Sequence, residues 1–273
     1  RLAFSRSLGA KLGALASWRP SMLAPRIALV EGLTDPTNDL IMGSTAENLA
    51  RDFDLSRLDA DTYAAESHKR AAAARDAGRF HKEIMPYFPM GASAKQKALL
   101  ADDSVRDGQS VEALGKLRPY FEKPDGVVTV GNACGITDGA TALVVTTKER
   151  ALELGLEPLA TIKSFAWAGC DPSRMGLGPV FATAKCLDQA GVTLDEFAKK
   201  HLGRSKALGE ISLAQLNPNG GAIAIGHPVG ATGARLLLTS ALELEAGDHE
   251  LGLATLCIGG GQGGAVLLER CSA

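Results

Sequence analysis

The segment Asn217-Pro218-Asn219-Gly220-Gly221-Ala222-Ile223-Ala224-Ile225-Gly226-His227-Pro228 sets one imidazole between a glycine and a proline, just ahead of a helical pattern. Pro228 pushes His227 towards an extended backbone, and Gly226 lets other groups come close. An imidazole fixed this way can act as a general base or activate a thiol near neutral pH. The same residues equally fit a histidine at a helix start that bonds a nearby carbonyl. A second candidate is Thr255-Leu256-Cys257-Ile258-Gly259-Gly260-Gly261-Gln262-Gly263-Gly264. Cys257 closes an apolar strand pattern and faces consecutive glycines. There a cysteine can shuttle a proton or serve as a nucleophile, if a histidine or oriented amides lower its pKa. The N–H groups of such a turn can hold an oxyanion. A buried packing cysteine beside a glycine hairpin is the plainer alternative, and for a lone cysteine the commoner one.

Other motifs carry less. The glycines match neither a Walker loop, since no Lys-Ser/Thr follows, nor the dinucleotide fingerprint at a first βα turn. His68, His81, His201 and His249 form no ligand spacing, so no metal site is expected. Cys134, Cys170, Cys186 and Cys271 read as packing or surface residues, and Ser164, Met42 and Leu33 read the same way on residue type alone.

The elements that must position these residues are those of an α/β chain. Its 273 residues suit one large or two medium domains, and 45% hydrophobic with 22% charged is globular composition. A net charge of −2 argues against a nucleic-acid binder. No stretch approaches the length of a transmembrane helix. Five singly placed cysteines exclude a disulfide framework and point to a reducing compartment. The basic, acid-poor residues 1–26 read either as a mitochondrial transit peptide or as an amphipathic helix inside a longer chain.

Met42 to about Phe53 reads as a helix capped by Ser44 or Thr45. Leu58 to Ala77 reads as a longer one, capped by Asp59 or Asp61 and ended by Gly78. Residues 84–125 read as an excursion over a core, with one short helix near Val111–Lys116. From Gly126 strands and helices alternate. Strands are expected at Val127–Val130, Ala140–Thr146, Leu159–Ala166, Ser212–Leu216, Leu251–Ile258 and Ala265–Glu269. Helices are expected at Lys148–Gly155, Val180–Ala190, Leu194–His201 and Thr232–Glu245. That alternation implies a layered α/β fold around a buried sheet.

Taken together, Gly226-His227-Pro228 with Gly230-Ala231-Thr232-Gly233-Ala234-Arg235, and Cys257-Ile258-Gly259-Gly260-Gly261-Gln262-Gly263, resemble the thiolase family. Gly32-Leu33-Thr34-Asp35 with Met42-Gly43-Ser44-Thr45-Ala46-Glu47, Gly131-Asn132-Ala133 with Thr137-Asp138-Gly139-Ala140, and Met175-Gly176-Leu177-Gly178-Pro179 extend the likeness over essentially the whole chain. Ser56–Ala71 and Thr137 further resemble the longer thiolases of fatty-acid oxidation, such as the trifunctional-enzyme β subunit. The resemblance implies a five-layer αβαβα body of two βαβαβαββ halves. Residues 1–125 would be a loop domain, 126–187 the end of the N-terminal half, and 188–273 the C-terminal half.

Carried over position by position, His227 would activate a nucleophilic cysteine, Cys257 would exchange the α-carbon proton, and the Gly259 amide would contribute to an oxyanion hole. Leu33 and Ser164 would line the CoA side and Met42 the acyl pocket. The implied reaction is thiolytic cleavage of 3-ketoacyl-CoA to acetyl-CoA and a shortened acyl-CoA, reversible as acetoacetyl-CoA synthesis. CoA and acyl-CoA would be substrates, with no metal or bound cofactor. The resemblance also implies a homodimer or tetramer, a hydratase–dehydrogenase partner subunit in some relatives, and a bacterial cytoplasmic or mitochondrial-matrix location. Two departures stand out. The family's nucleophilic cysteine motif lies upstream of all five cysteines here, and no Asn/His-Glu-Ala-Phe motif appears near Asp195–Arg204. A longer polypeptide, a split enzyme, or a catalytically inactive acyl-CoA-binding or structural relative would each account for them. The retained His227 and Cys257 tell against the inactive reading.

Overall fold

The computed structural model describes residues 27–89, 98–192 and 213–271, with the isolated positions 7, 9, 12 and 25. The expected helix at Leu194–His201, the 195–204 stretch and most of residues 1–26 lie outside the described residues. In chain order the helices are α1 (Ala28–Gly32), α2 (Met42–Asp52), α3 (Arg57–Asp76), α4 (Val111–Gly115), α5 (Lys148–Glu153), α6 (Gly178–Ala190), α7 (Ala222–Ile225) and α8 (Thr232–Ala246). The strands are β1 (Ala160–Gly169), β2 (Leu251–Ile258) and β3 (Gln262–Arg270), and 3₁₀ turns run over Arg79–Lys82 and Pro172–Leu177.

The strands form one antiparallel sheet in the order β1-β3-β2. Because side chains alternate along a strand, each face needs its own cover. On one face Ala166 and Ala168 of β1 with Ala265 and Leu267 of β3 pack against Ala182, Cys186 and Leu187 of α6. On the other, Leu268 meets Ala241 and Leu244 of α8. The result is a helix–sheet–helix stack, the α/β arrangement expected. Helix α6 reaches the sheet closely because Gly178 and Gly263 meet backbone to backbone; a Cβ on Gly263 would lie 2.0 Å from the Gly178 carbonyl carbon. Residues 160–187, read from sequence with the preceding half, thus pair and pack with residues 251–270.

Helix α3 carries a face of small residues, with Ala64, Ser67, Ala71 and Ala74 all buried. Such a face lets another backbone come close. Residues 217–226 take that seat: Gly220 packs on Ala71, the Gly221 amide donates to the Ser67 hydroxyl at 3.0 Å, and Asn217 donates to Tyr63 at 2.9 Å. Arg70 donates to the carbonyls of Leu213 and Leu216. Ser56, not Asp59 or Asp61, caps α3. Its hydroxyl accepts from the Asp59 amide while the Asp59 carboxylate reaches back to the Ser56 amide. Helix α2 begins without a side-chain cap, because the Thr45 hydroxyl donates to the Met42 carbonyl instead.

Two expected strands do not form among the described residues, nor does residue 213–216 belong to one. Val127–Val130 has its ladder groups already taken. Both Glu47 carboxylate oxygens accept from Val127 and Val128 amides at 2.9 and 2.8 Å, and the Asn132 side chain accepts from Thr129 and donates to Val127. Asn132 is held in turn by Asp61 at 2.9 Å. Ala140–Thr146 has no strand beside it among the described residues, and Val144 remains 88% exposed. A strand needs a neighbour to share its hydrogen bonds.

Glu47, only 2% exposed, replaces a sheet ladder for the amides of the half-buried Val127 and Val128. We expect Glu47→Ala to cost roughly 1.5–3 kcal/mol, the span for hydrogen bonds to a charged group. Urea unfolding of the variant against the parent measures it; a loss below about 0.5 kcal/mol, the level of an ordinary surface substitution, would refute this role.

Candidate active site

The glycine turn Gly259–Gly261 joins β2 to β3, with Ile258 opposite Gln262. Gly260 and Gly261 have φ of 79° and 72°, which a side chain would resist. Strand β3, expected from Ala265, begins earlier, because Gln262 already pairs with Ile258. The turn is held from outside. The Gly261 carbonyl accepts from the Cys170 amide at 2.7 Å, and the Gly260 amide donates to Asp35 at 2.7 Å.

Asp35 is 1% exposed and sits in the loop that leads into α2. It also accepts from the Thr37 hydroxyl at 2.6 Å and the Thr37 amide at 2.8 Å. The Thr37 hydroxyl above all, then the amides of Thr37 and Gly260, hold its carboxyl below the usual range against the opposing effect of burial. The loop closes on itself through the Met42 amide donating to the Leu33 carbonyl at 3.0 Å. Met42 thereby reaches the turn, its Cε 3.7 Å from where a Gly259 Cβ would stand. Helix α2 is tied to the far side of the turn by Asn48 donating to the Ser173 carbonyl and by the Arg174–Asp52 ion pair.

His227 follows α7 and precedes α8. Its Nδ1 lies 2.6 Å from the Thr232 hydroxyl. Burial, and then the Arg235 guanidinium, push its pKa down. His227 is therefore neutral at neutral pH. Protonation, and loss of its basicity, require acid below the ordinary histidine range. Residues 134–139 bridge the two halves of the site. Thr137 packs on Gly226 and Gly139 on Pro228, while Cys134 neighbours Cys257. Burial first, then the neighbouring Cys134 and Cys170, raise the Cys257 pKa, so it rests as a thiol. Burial, and then the neighbouring Asp171, likewise raise Cys170. A protonated thiol at a strand end and a neutral imidazole at a helix start suit proton transfer in both directions.

The structure gathers Leu33, Met42 and Gly259 around one turn, with Cys257 at its strand end, and sets His227 across residues 134–139. It does not bring Ser164 there. Ser164 is level with Leu267, whereas Cys257 is level with Gly263, four β3 positions away. That is roughly 13 Å at about 3.3 Å per residue. The Ser164 hydroxyl is occupied on the covered face, donating to the Cys186 carbonyl at 2.8 Å.

The two family profiles, for the thiolase N-terminal domain and the thiolase C-terminal domain, match residues 20–149 and 156–270. The acetyl-CoA acetyltransferase of Allochromatium vinosum is 47% identical over 251 residues, covering 89% of this chain and 63% of that protein. Among solved structures, the Bacillus anthracis acetyl-CoA acetyltransferase superposes with a TM-score of 0.83 at 34% identity, covering 94% of this chain and 67% of that one. Human mitochondrial 3-ketoacyl-CoA thiolase in complex with CoA gives 0.79 at 36% identity, covering 91% and 65%. The fold and site define a thiolase-type α/β protein. The chain belongs to the thiolase family, and it spans 63% of the length of its Allochromatium relative.

Asp35 and Thr232 were not among the residues singled out by sequence. Asp35-Pro36-Thr37 carries the signal of a side chain that caps its own loop, but nothing local announces a partner at Gly260. Thr232 could be found only by asking what orients His227. Asp35→Ala should free the Gly260 amide and loosen the turn, so that Gly260 exchanges its amide hydrogen faster than in the parent. Amide hydrogen exchange of the folded variant tests this, and unchanged protection at Gly260 would contradict it.

Proposed function

We propose that the protein transfers acyl groups between CoA thioesters, cleaving 3-ketoacyl-CoA with CoA to acetyl-CoA and a shortened acyl-CoA, and running in reverse to acetoacetyl-CoA. The observation that carries this reading is that a neutral, half-buried His227 and a protonated Cys257 both border residues 134–139, with Cys257 at the strand end beside the anchored glycine turn. The names of its relatives support it. In this reading His227 takes the proton from an acyl-accepting thiol, which is none of the five cysteines of this chain. The thiolate attacks the 3-keto carbon, and the Cα–C bond breaks. Cys257 then gives its proton to the acetyl-CoA carbanion and recovers one from incoming CoA. The new CoA thiolate displaces the acyl group, and the proton held by His227 returns to the released thiol. The Gly259 amide steadies the thioester oxygen as it gains charge.

The reading takes CoA thioesters as substrates, without metal or bound cofactor, in fatty-acid β-oxidation. Bacterial relatives support a cytoplasmic setting, with the mitochondrial matrix as the alternative. A homodimer or tetramer, with a hydratase–dehydrogenase partner subunit, completes it. No described helix is long and apolar enough to cross a membrane.

His227→Ala should lower acetoacetyl-CoA thiolysis by about 10²–10⁴-fold, the span of a positioned general base, while CoA binding by calorimetry persists. Loss of the Mg-enolate absorbance of acetoacetyl-CoA is the readout. A variant as active as the parent would overturn the reading.

A further inference from the structure

The candidate base has a partner that is itself fully committed. Thr232 is the first residue of α8 and only 1% exposed. Its hydroxyl lies 2.6 Å from His227 Nδ1 and 3.0 Å from the Pro228 carbonyl. A hydroxyl has one proton to give. If it gave that proton to Nδ1, its oxygen would face the Pro228 carbonyl with no hydrogen between two acceptors. If instead it donates to the carbonyl, its lone pair is free for an Nδ1–H, and both short contacts become hydrogen bonds. The Pro228 carbonyl also accepts from the amides of Ala231 and Thr232 at 2.8 and 3.0 Å, so the loop that carries His227 is closed onto the first turn of α8.

We propose that Thr232 is a positioning residue that holds His227 as the Nδ1–H tautomer and leaves Nε2 unprotonated to receive the proton in acyl transfer. The inference rests on His227 being the base of the proposed reaction, but its first test does not use activity. Thr232 touches no reacting atom. It acts through the ring, as a hydrogen-bonded neighbour fixes which nitrogen of a histidine carries the proton. The N-terminus of the 15-residue α8 adds a field that disfavours a second proton on the ring.

Ring ¹⁵N chemical shifts of His227 in the histidine-labelled native polypeptide, assigned by difference against His227→Gln, report the tautomer at neutral pH. Protonated Nδ1 and bare Nε2 are expected in the parent and in Thr232→Ser. Thr232→Val, of nearly the same shape but without the hydroxyl, should move population to the Nε2–H form. It should also lower kcat by roughly 10–100-fold with KM little changed, the usual cost of losing a hydrogen bond that orients a functional histidine. The serine variant should restore kcat. An Nε2–H tautomer in the parent, or a valine variant with unchanged shifts, overturns the inference whatever the activity. The expected shifts together with a fully active His227→Ala would instead overturn the proposed function and leave the tautomer assignment standing.

Discussion

The site is assembled from irregular backbone, and amides withdrawn from water in irregular backbone must find acceptors that no helix or sheet supplies. Three buried carboxylates meet that demand. Asp35 takes the Gly260 amide 225 positions along the chain, Glu47 takes two amides from the 127–128 segment, and Asp61 holds the Asn132 side chain that closes the same segment. Each comes from the region ahead of Gly126, and each fixes a loop that leads to the candidate residues. The regular elements give the frame, and these carboxylates fix where the loops run within it. A carboxylate suits the task because it accepts in several directions at once, and its bonds to N–H groups are stronger than neutral ones.

From that anchoring follows a division of charge. His227 is drawn below its ordinary pKa by burial and by Arg235, while burial and nearby thiols lift Cys257 above its own. One group is thus a base and the other an acid at the same neutral pH. Groups whose surroundings push their pKa values apart can work in sequence on one reaction. The small-residue face of α3 contributes at a distance, because it lets residues 217–226 lie close enough to present His227 at the start of α8.

Much of this was legible in the residues. The α/β class, the long helices and the C-terminal hairpin follow from periodicity and from glycine stops. His227, Cys257 and the glycine run that follows it stand out by local chemistry before any resemblance is drawn. What periodicity could not reveal were contacts between distant residues. Val127–Val130 looks like a strand because its side chains are branched and apolar, yet its amides are claimed by Glu47 and Asn132. Ala140–Thr146 has a strand's composition but no neighbour among the described residues. Ser164 alternates as a strand residue should, and only the register with β3 reveals that its hydroxyl turns to α6, away from the glycine turn.

The central claim is that Cys257, held protonated at the end of β2, moves the α-carbon proton while His227 serves the acyl-accepting thiol. Deuterium exchange into the methyl group of acetyl-CoA, followed by NMR in D₂O for the parent and Cys257→Ala, separates the two roles. With the native polypeptide or assembly that supplies the acyl-accepting thiol, the account predicts exchange in the parent and its loss in the variant, with formation of the acyl-enzyme by acetyl-CoA retained. Methyl exchange undiminished in Cys257→Ala would contradict it.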